Sequence, residues 1–242
     1  MLNCSFNEAA KECTLKIKVM YNDRSTKELL ELLEQYAMLT FESQLSLNEE
    51  LASRSLVVDK SELELAIEVK ISQIENLEYL KDIGFKASIN NGEITVTRAV
   101  GAVFTDLAAV VFGGLVFLAG VYGVGSLVSM FVNGEEINVF SLAVNAAMAS
   151  LVMIGFSFFN GIKRLVDYSG FRLSNQSGII TMKKRFDLKL EEIKEQASEL
   201  FLESDDKELI LKLGNHIVFN SNVENIVQRL TLEQLANLLK KC

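Results

Sequence analysis

The chain has 242 residues, a net charge of −8, and neither proline nor tryptophan. Its acids are unevenly spread: residues 1–98 hold 17 acidic and 11 basic side chains, residues 163–242 hold 12 and 13. The acidic first half argues against nucleic acid and against lying flat on anionic lipid. Three cysteines (Cys4, Cys13 and Cys242) form no CxxC and no ligand cluster, which fits a reducing compartment rather than a disulfide framework.

In chain order, Leu2, Cys4 and Phe6, then Leu15, Ile17, Val19 and Tyr21, alternate with other residues and predict a β-hairpin over residues 2–21. The stretch from Met1 to Cys13 has acids and no apolar core, so it does not read as a signal peptide. Ser25 and Glu28 form a capping box, followed at helical spacing by Leu29, Leu32, Leu33, Tyr36, Ala37 and Thr40. A second strand pair is expected: Arg54 to Val58, then Leu63, Leu65, Ile67, Val69 and Ile71 in alternation. Ser72 and Glu75 read as another capping box, with Gly84 ending the helix it opens. Phe85–Asn90 and Glu93–Arg98, joined by Asn91-Gly92, predict a hairpin.

Two apolar runs follow. Leu107 to Gly134 and Ile137 to Ile162 carry no charged side chain, and only Glu135 and Glu136 separate them. Each exceeds the roughly 20 residues that an α-helix needs to cross a ~30 Å hydrocarbon core. The pattern is a two-pass hairpin with helices at about 107–132 and 138–162. The flanks carry Lys81, Lys86 and Arg98 on one side and Lys163, Arg164, Arg172, Lys183, Lys184 and Arg185 on the other; the turn carries none. That asymmetry places both termini in the cytoplasm and Asn133 to Asn138 outside. The expected location is the cell membrane, the inner membrane if the chain is bacterial.

Beyond the second run, Gly170 to Thr181 echoes Gly84 to Thr95, with Gly, Phe, Ser, Gly, Ile and Thr coinciding without a gap. The echo reads either as an internal repeat or as shared turn chemistry. A helix over Asp187–Leu202, a hairpin of Glu208–Leu213 with His216–Asn220, and a helix from Val223 capped by Ser221 and Glu224 complete the chain. The expected architecture is a membrane α+β protein: residues 1–98 and 163–242 build one cytoplasmic α+β domain from hairpin and helix units, and residues 99–162 are the transmembrane hairpin inserted in it.

The candidate sites lie in that hairpin. Asp106, Tyr122, Ser126 and Asn145 are its polar candidates. Asp106 falls near the cytoplasmic boundary, at the positive end of a helix dipole, and reads as an interfacial carboxylate against an ion site. Asn145 lies near mid-membrane, where an unpaired amide is costly, and Tyr122 or Ser126 would bond it. Small residues (Ala109, Gly113, Gly120 and Gly123; Ala143, Ala147, Ser150, Ser157 and Gly161) form stripes that let helix backbones approach, as the hairpin seam or as an oligomer interface. Val121 to Gly125 has the glycine spacing of a cation-filter loop, but it lies within one continuous apolar run.

Enzyme chemistry finds little. His216 is the only histidine, and no nucleophile motif surrounds it. No catalytic residue, cofactor or metal is expected. The reading is a non-enzymatic membrane protein that binds a protein partner through its cytoplasmic domain and hairpin, such as a bacterial immunity, defence or regulatory factor. The alternative is an oligomeric pore gated by the cytoplasmic domain, and the third is an enzyme with an unrecognised site in the soluble domain.

Overall fold

The computed structural model describes residues 21–90, 93–133, 138–157, 159–186, 188–205, 208–222 and 224–241. Residues 2–20 of the first expected hairpin lie outside them, as do Asn91-Gly92 and the turn at 134–137. The chain is mixed helix and sheet, 58% helical and 25% strand, with two helices long and apolar enough to cross a membrane. It divides into two compact units: Met1–Thr95 with Ser174–Ile180 and Lys194–Cys242, and Val96–Leu173 with Thr181–Ile193.

Among the described residues, the first unit opens with the helices α1 (Thr26–Glu34), α2 (Phe41–Ser53) and α3 (Ser61–Glu75). The capping box at α1 forms as its residues dictate: Glu28 N donates to Ser25 Oγ at 3.3 Å, and Ser25 N donates to Glu28 Oε2 at 2.8 Å. The helical stripe expected to run to Thr40 breaks after Glu34 into a 3₁₀ turn, Tyr36–Met38. Thr40 instead caps α2, its hydroxyl accepting from Ser43 N at 3.3 Å.

Two expected strands are absent. Arg54 to Val58 is the cap of α2 and a loop; Arg54 there donates to the carbonyls of Tyr21, Asn22 and Arg24, at 3.3, 3.0 and 2.7 Å, and binds Glu50 at 2.6 Å. Leu63 to Ile71 is helix α3, and the alternation misled because it also contains a helical set. Leu63, Ile67 and Ile74 are buried at i, i+4 and i+11, whereas Leu65 and Val69 face out, 60% and 49% exposed. Leu and Glu favour helix over strand, and Glu62 and Glu64 suit the positive end of the dipole. Ser72 and Glu75 therefore close α3 instead of opening a helix. Leu77, buried with a left-handed φ of 58°, makes the break, and a 3₁₀ turn, Glu78–Lys81, leads to Gly84.

Among the described residues eight strands follow, interrupted by the apolar helices: β1 (Phe85–Asn90), β2 (Glu93–Arg98), β3 (Arg172–Gln176), β4 (Ile179–Phe186), β5 (Lys189–Gln196), β6 (Leu200–Ser204), β7 (Glu208–Leu213) and β8 (His216–Asn222). Strands β1 to β5 lie in that order in one sheet, and β6-β7-β8 form a second. The echoed sequences occupy equivalent places in two hairpins. Gly84 and Gly170 both take left-handed φ, and Phe85 and Phe171, then Ile94 and Ile180, are buried.

The helix expected over Asp187–Leu202 is two strands, β5 and β6, around the 3₁₀ turn Ala197–Glu199. Cross-strand pairing outweighs the helix propensity of its Lys and Glu residues. Lys183 meets Glu192 at 2.9 Å, and Leu200 and Leu202 pair with Leu213 and Leu211 of β7.

The last helix, α7 (Ile226–Lys241), is capped by Asn225, whose Oδ1 accepts from Gln228 N at 3.2 Å, and not by Ser221. Ser221 is a buried residue of β8 whose hydroxyl has no hydrogen-bond partner. Ile226 and Leu230 of α7 complete the cluster of Leu29, Phe41, Leu47, Leu51, Leu63, Ile67 and Ile74. Residues from before and after the apolar helices thus share one core. Phe85 of β1 stacks on Phe219 of β8 with centroids 4.8 Å apart. Asn175 of β3 donates to the Leu239 carbonyl, satisfying an orphan acceptor in the last turn of α7.

Candidate functional site

The second unit is built on α4 (Val100–Val132), α5 (Val139–Ser157) and α6 (Phe159–Asp167). Glycines set how α4 meets α5. A Cβ added at Gly120 would lie 2.4 Å from Val152 N, one at Gly123 would lie 2.6 Å from Ala149 N, and one at Gly155 would lie 2.7 Å from Phe117 Cα. As the α4 number rises the α5 number falls, so the helices run antiparallel with backbones in direct contact. Only glycine permits that approach.

Gly120 and Gly123 are buried at this seam, Gly113 is buried nearer the start of α4, and Ala109 packs near Gly161 of α6. On α5 the seam and the expected small-residue stripe fall on different faces. Ala143, Ala147 and Ser150 are exposed, and the contact runs through Met148, Ala149, Val152 and Gly155. One residue is about 100° of helix rotation, so small residues at neighbouring positions define different faces. Gly155, the one glycine of α5, was the signal that would have located the seam. Val121 to Gly125 is plain helix within α4.

The polar groups divide likewise. Asn145 Nδ2 donates to Met130 Sδ at 3.3 Å, across the pair but to neither Tyr122 nor Ser126. Tyr122 is 68% exposed on the outer face, and Ser126 is half-buried. The exposed Ser150 turns its hydroxyl to the Ala147 carbonyl of its own helix, at 2.6 Å.

Asp106 belongs to a built cluster at the base of α4. Arg98 Nη2 lies 2.5 Å from Asp106 Oδ2, both side chains nearly buried. The Arg98 guanidinium carbon sits 5.3 Å from the Tyr168 ring centroid, and Lys184 Nζ sits 4.7 Å from the same ring and 5.8 Å from Phe186. Phe171 meets Tyr168 edge-on at 5.6 Å. Burial pushes the Lys184 amine below its ordinary pKa, with the Asp167 charge opposing, and pushes the Tyr168 hydroxyl up, with Arg98 opposing. Sequence reasoning named Asp106 but missed Tyr168, Lys184 and Phe186. The available signal was the alternation of β4, which points Lys184 inward with Ile180 and Met182.

The chain matches no protein-family model, no curated protein and no solved structure.

Chemically, the cluster sets two cations, Arg98 and Lys184, against the Tyr168 ring, with Asp106 pairing the first. His216 begins β8, half-buried and opposite Leu213. In the first unit, Tyr21, Ser46, Glu49, Glu50 and Ser53 line a shallow hollow, where Glu50 is already bound to Arg54. Among the described residues no three His, Cys, Asp or Glu side chains gather as a metal-binding group.

Proposed function

We propose that the chain is a two-pass membrane protein, anchored by α4 with α5 and α6, whose α+β unit binds a protein partner and catalyses no reaction. The observation that carries the reading is the outer surface of the helix pair. The most apolar windows of the two spans are only 17% and 6% buried, and Phe104, Phe112, Leu118, Phe131, Phe140 and Phe156 all face away from the chain. Contiguous apolar patches beyond a few hundred Å² are rare on soluble monomers, and hydrocarbon removes their cost. Helices also satisfy their own backbone groups, as a bilayer interior requires. The basic flanks favour cytoplasmic termini. An immunity, defence or regulatory subunit of a membrane assembly is the form of partner binding that fits such an anchor.

The test is membrane retention followed by capture. The protein should stay in the membrane pellet after alkaline carbonate, a cysteine at Asn133 should label from outside intact cells, and cross-linking in the membrane should recover one partner in fixed stoichiometry. Extraction by carbonate would end the membrane reading, and a lone uncross-linked chain would end the partner reading. One observation favours a second reading. Ala143, Ala147 and Ser150 leave a small-residue face of α5 open, where a further copy of the helix pair would pack closely to build a pore. Ion conductance by the purified protein in planar bilayers would favour that reading over the anchor.

A further inference from the structure

We propose that the β4–β5 hairpin is a further membrane contact, resting on the two-pass reading above: its tip lays Leu188 and Leu190 in the headgroup layer of an anionic leaflet, the leaflet through which α4 begins and α6 ends. All of the observations lie within the second unit. Leu188 is 72% exposed at the hairpin tip, and Leu190 is 51% exposed at the start of β5. One of these large apolar side chains stands at the turn, and the other lies two residues further on, in the strand. They suit the boundary between headgroups and acyl chains.

The tip is fixed at the end of the helix pair where the basic residues lie. Arg185 donates from Nε to the Ser169 carbonyl at 3.3 Å and from Nη1 to the Leu188 carbonyl at 2.8 Å. A Cβ at Gly170 would lie 3.7 Å from Leu190 Cδ1. Ser169 and Gly170 lie two and three residues beyond the end of α6, whose last turns carry the exposed Lys163 and Arg164. From Lys163 to Asp167 the helix climbs about 6 Å, comparable with the roughly 5–7 Å that headgroups add to each side of the hydrocarbon core. Exposed Val100 and Phe104 mark the same zone on α4.

Charge complementarity names the occupant. Lys163, Arg164 and Lys189 are exposed around this band. Of the acids nearby, Asp106 is bound by Arg98 and Glu192 by Lys183, whereas Asp167, Asp187 and the exposed Glu191 oppose the cations; residues 163–193 still hold seven basic side chains against four acidic ones. Long cationic stems reach along apolar surface to place their charge on phosphate, so the hairpin and the end of α6 together present an apolar tip within a cationic rim.

The experiment places an environment-sensitive fluorophore on single cysteines, Leu188→Cys or Leu118→Cys, with Cys4, Cys13 and Cys242 changed to serine. The full chain is reconstituted into phosphatidylglycerol or phosphatidylcholine vesicles. At position 118 the probe should be quenched by deeply labelled lipid in both, which tests the spanning helix by itself. At position 188 it should be blue-shifted and quenched by lipid labelled near the headgroup, more strongly in phosphatidylglycerol. The combination Lys163→Gln, Arg164→Gln and Lys189→Gln should lower docking by about fivefold per cation removed. Water-like emission at 188 with quenching at 118 overturns this proposal and leaves the two-pass reading standing, and equal behaviour in the two lipids also overturns it. No quenching at 118 overturns both.

Discussion

Arg98 and Asp106 join the last residue of β2 to the second turn of α4 through an ion pair of 2.5 Å, with side chains only 7% and 13% exposed. Both charges are out of water, so each depends on the other. Removing one partner of a buried pair costs about 3–5 kcal/mol, whereas replacing both by apolar residues is often neutral or better. Arg98→Ala and Asp106→Ala should each lower the midpoint of thermal unfolding in detergent, and Arg98→Met with Asp106→Leu should recover most of the loss. A double variant as unstable as the worse single variant would refute the pairing.

The seam predicts a contrast between glycines. Gly120→Leu and Gly123→Leu drive atoms into the backbone of α5 and should cost at least the roughly 1–3 kcal/mol of an overpacked core. Gly125→Ala meets nothing within 4 Å and should be neutral or slightly stabilising, because alanine is the better helix former. Unfolding midpoints in mixed micelles of graded denaturing detergent separate the two outcomes.

Lys184 predicts a pH dependence. Its pKa is pushed below the ordinary 10.5 by burial, so between the lowered value and 10.5 the unfolded chain binds the proton that the folded chain releases. The stability of the wild type relative to Lys184→Met should therefore rise with pH through that window. Tyr168, raised above its ordinary 10.0 by burial, acts oppositely: its contribution falls as pH climbs above 10.0. A difference between wild type and Lys184→Met that is flat from neutral pH to 10.5 contradicts the buried placement of the amine.

At α1, hydrogen bonds from the Ser25 backbone and hydroxyl, then from Arg24, lower the Glu28 carboxyl from 4.5 to about 2. A lowered carboxylate stabilises the fold above 4.5, and that contribution is lost as pH falls toward 2. Carboxyl carbon NMR should show Glu28 titrating well below the other glutamates, and Ser25→Ala should return it toward 4.5.

What the sequence revealed depended on whether one interaction fixed the outcome. Ser25 and Glu28 satisfy each other locally, and the Phe85 and Phe171 hairpins carry their own turn residues, so they read correctly. Leu63 to Ile71 fits a strand and a helix equally by alternation, and only the partners Leu29 and Ile226, far away in sequence, choose the helical face. The residues 189–202 look helical alone and become strands because Leu211 and Leu213 wait on β7. In the apolar helices hydrophobic residues occur on every face, so pattern gives length but no rotation. Gly155, one residue, fixes that rotation.

The discontinuous core has a consequence in time. Leu29, Leu63 and Ile74 close against Ile226 and Leu230, which leave the ribosome some 150 residues after Ile74. At 5–20 residues per second that interval is roughly 8–30 s, during which α1 to α3 stand with an unfinished apolar face. The apolar helices are made within the same interval. A nascent chain held by α4 and α5 would keep its two waiting halves within a short tether of each other, so the delay ends in an encounter within one molecule and not between neighbours. Slowing synthesis between residues 95 and 226 should therefore increase degradation of the first half more than that of the finished protein.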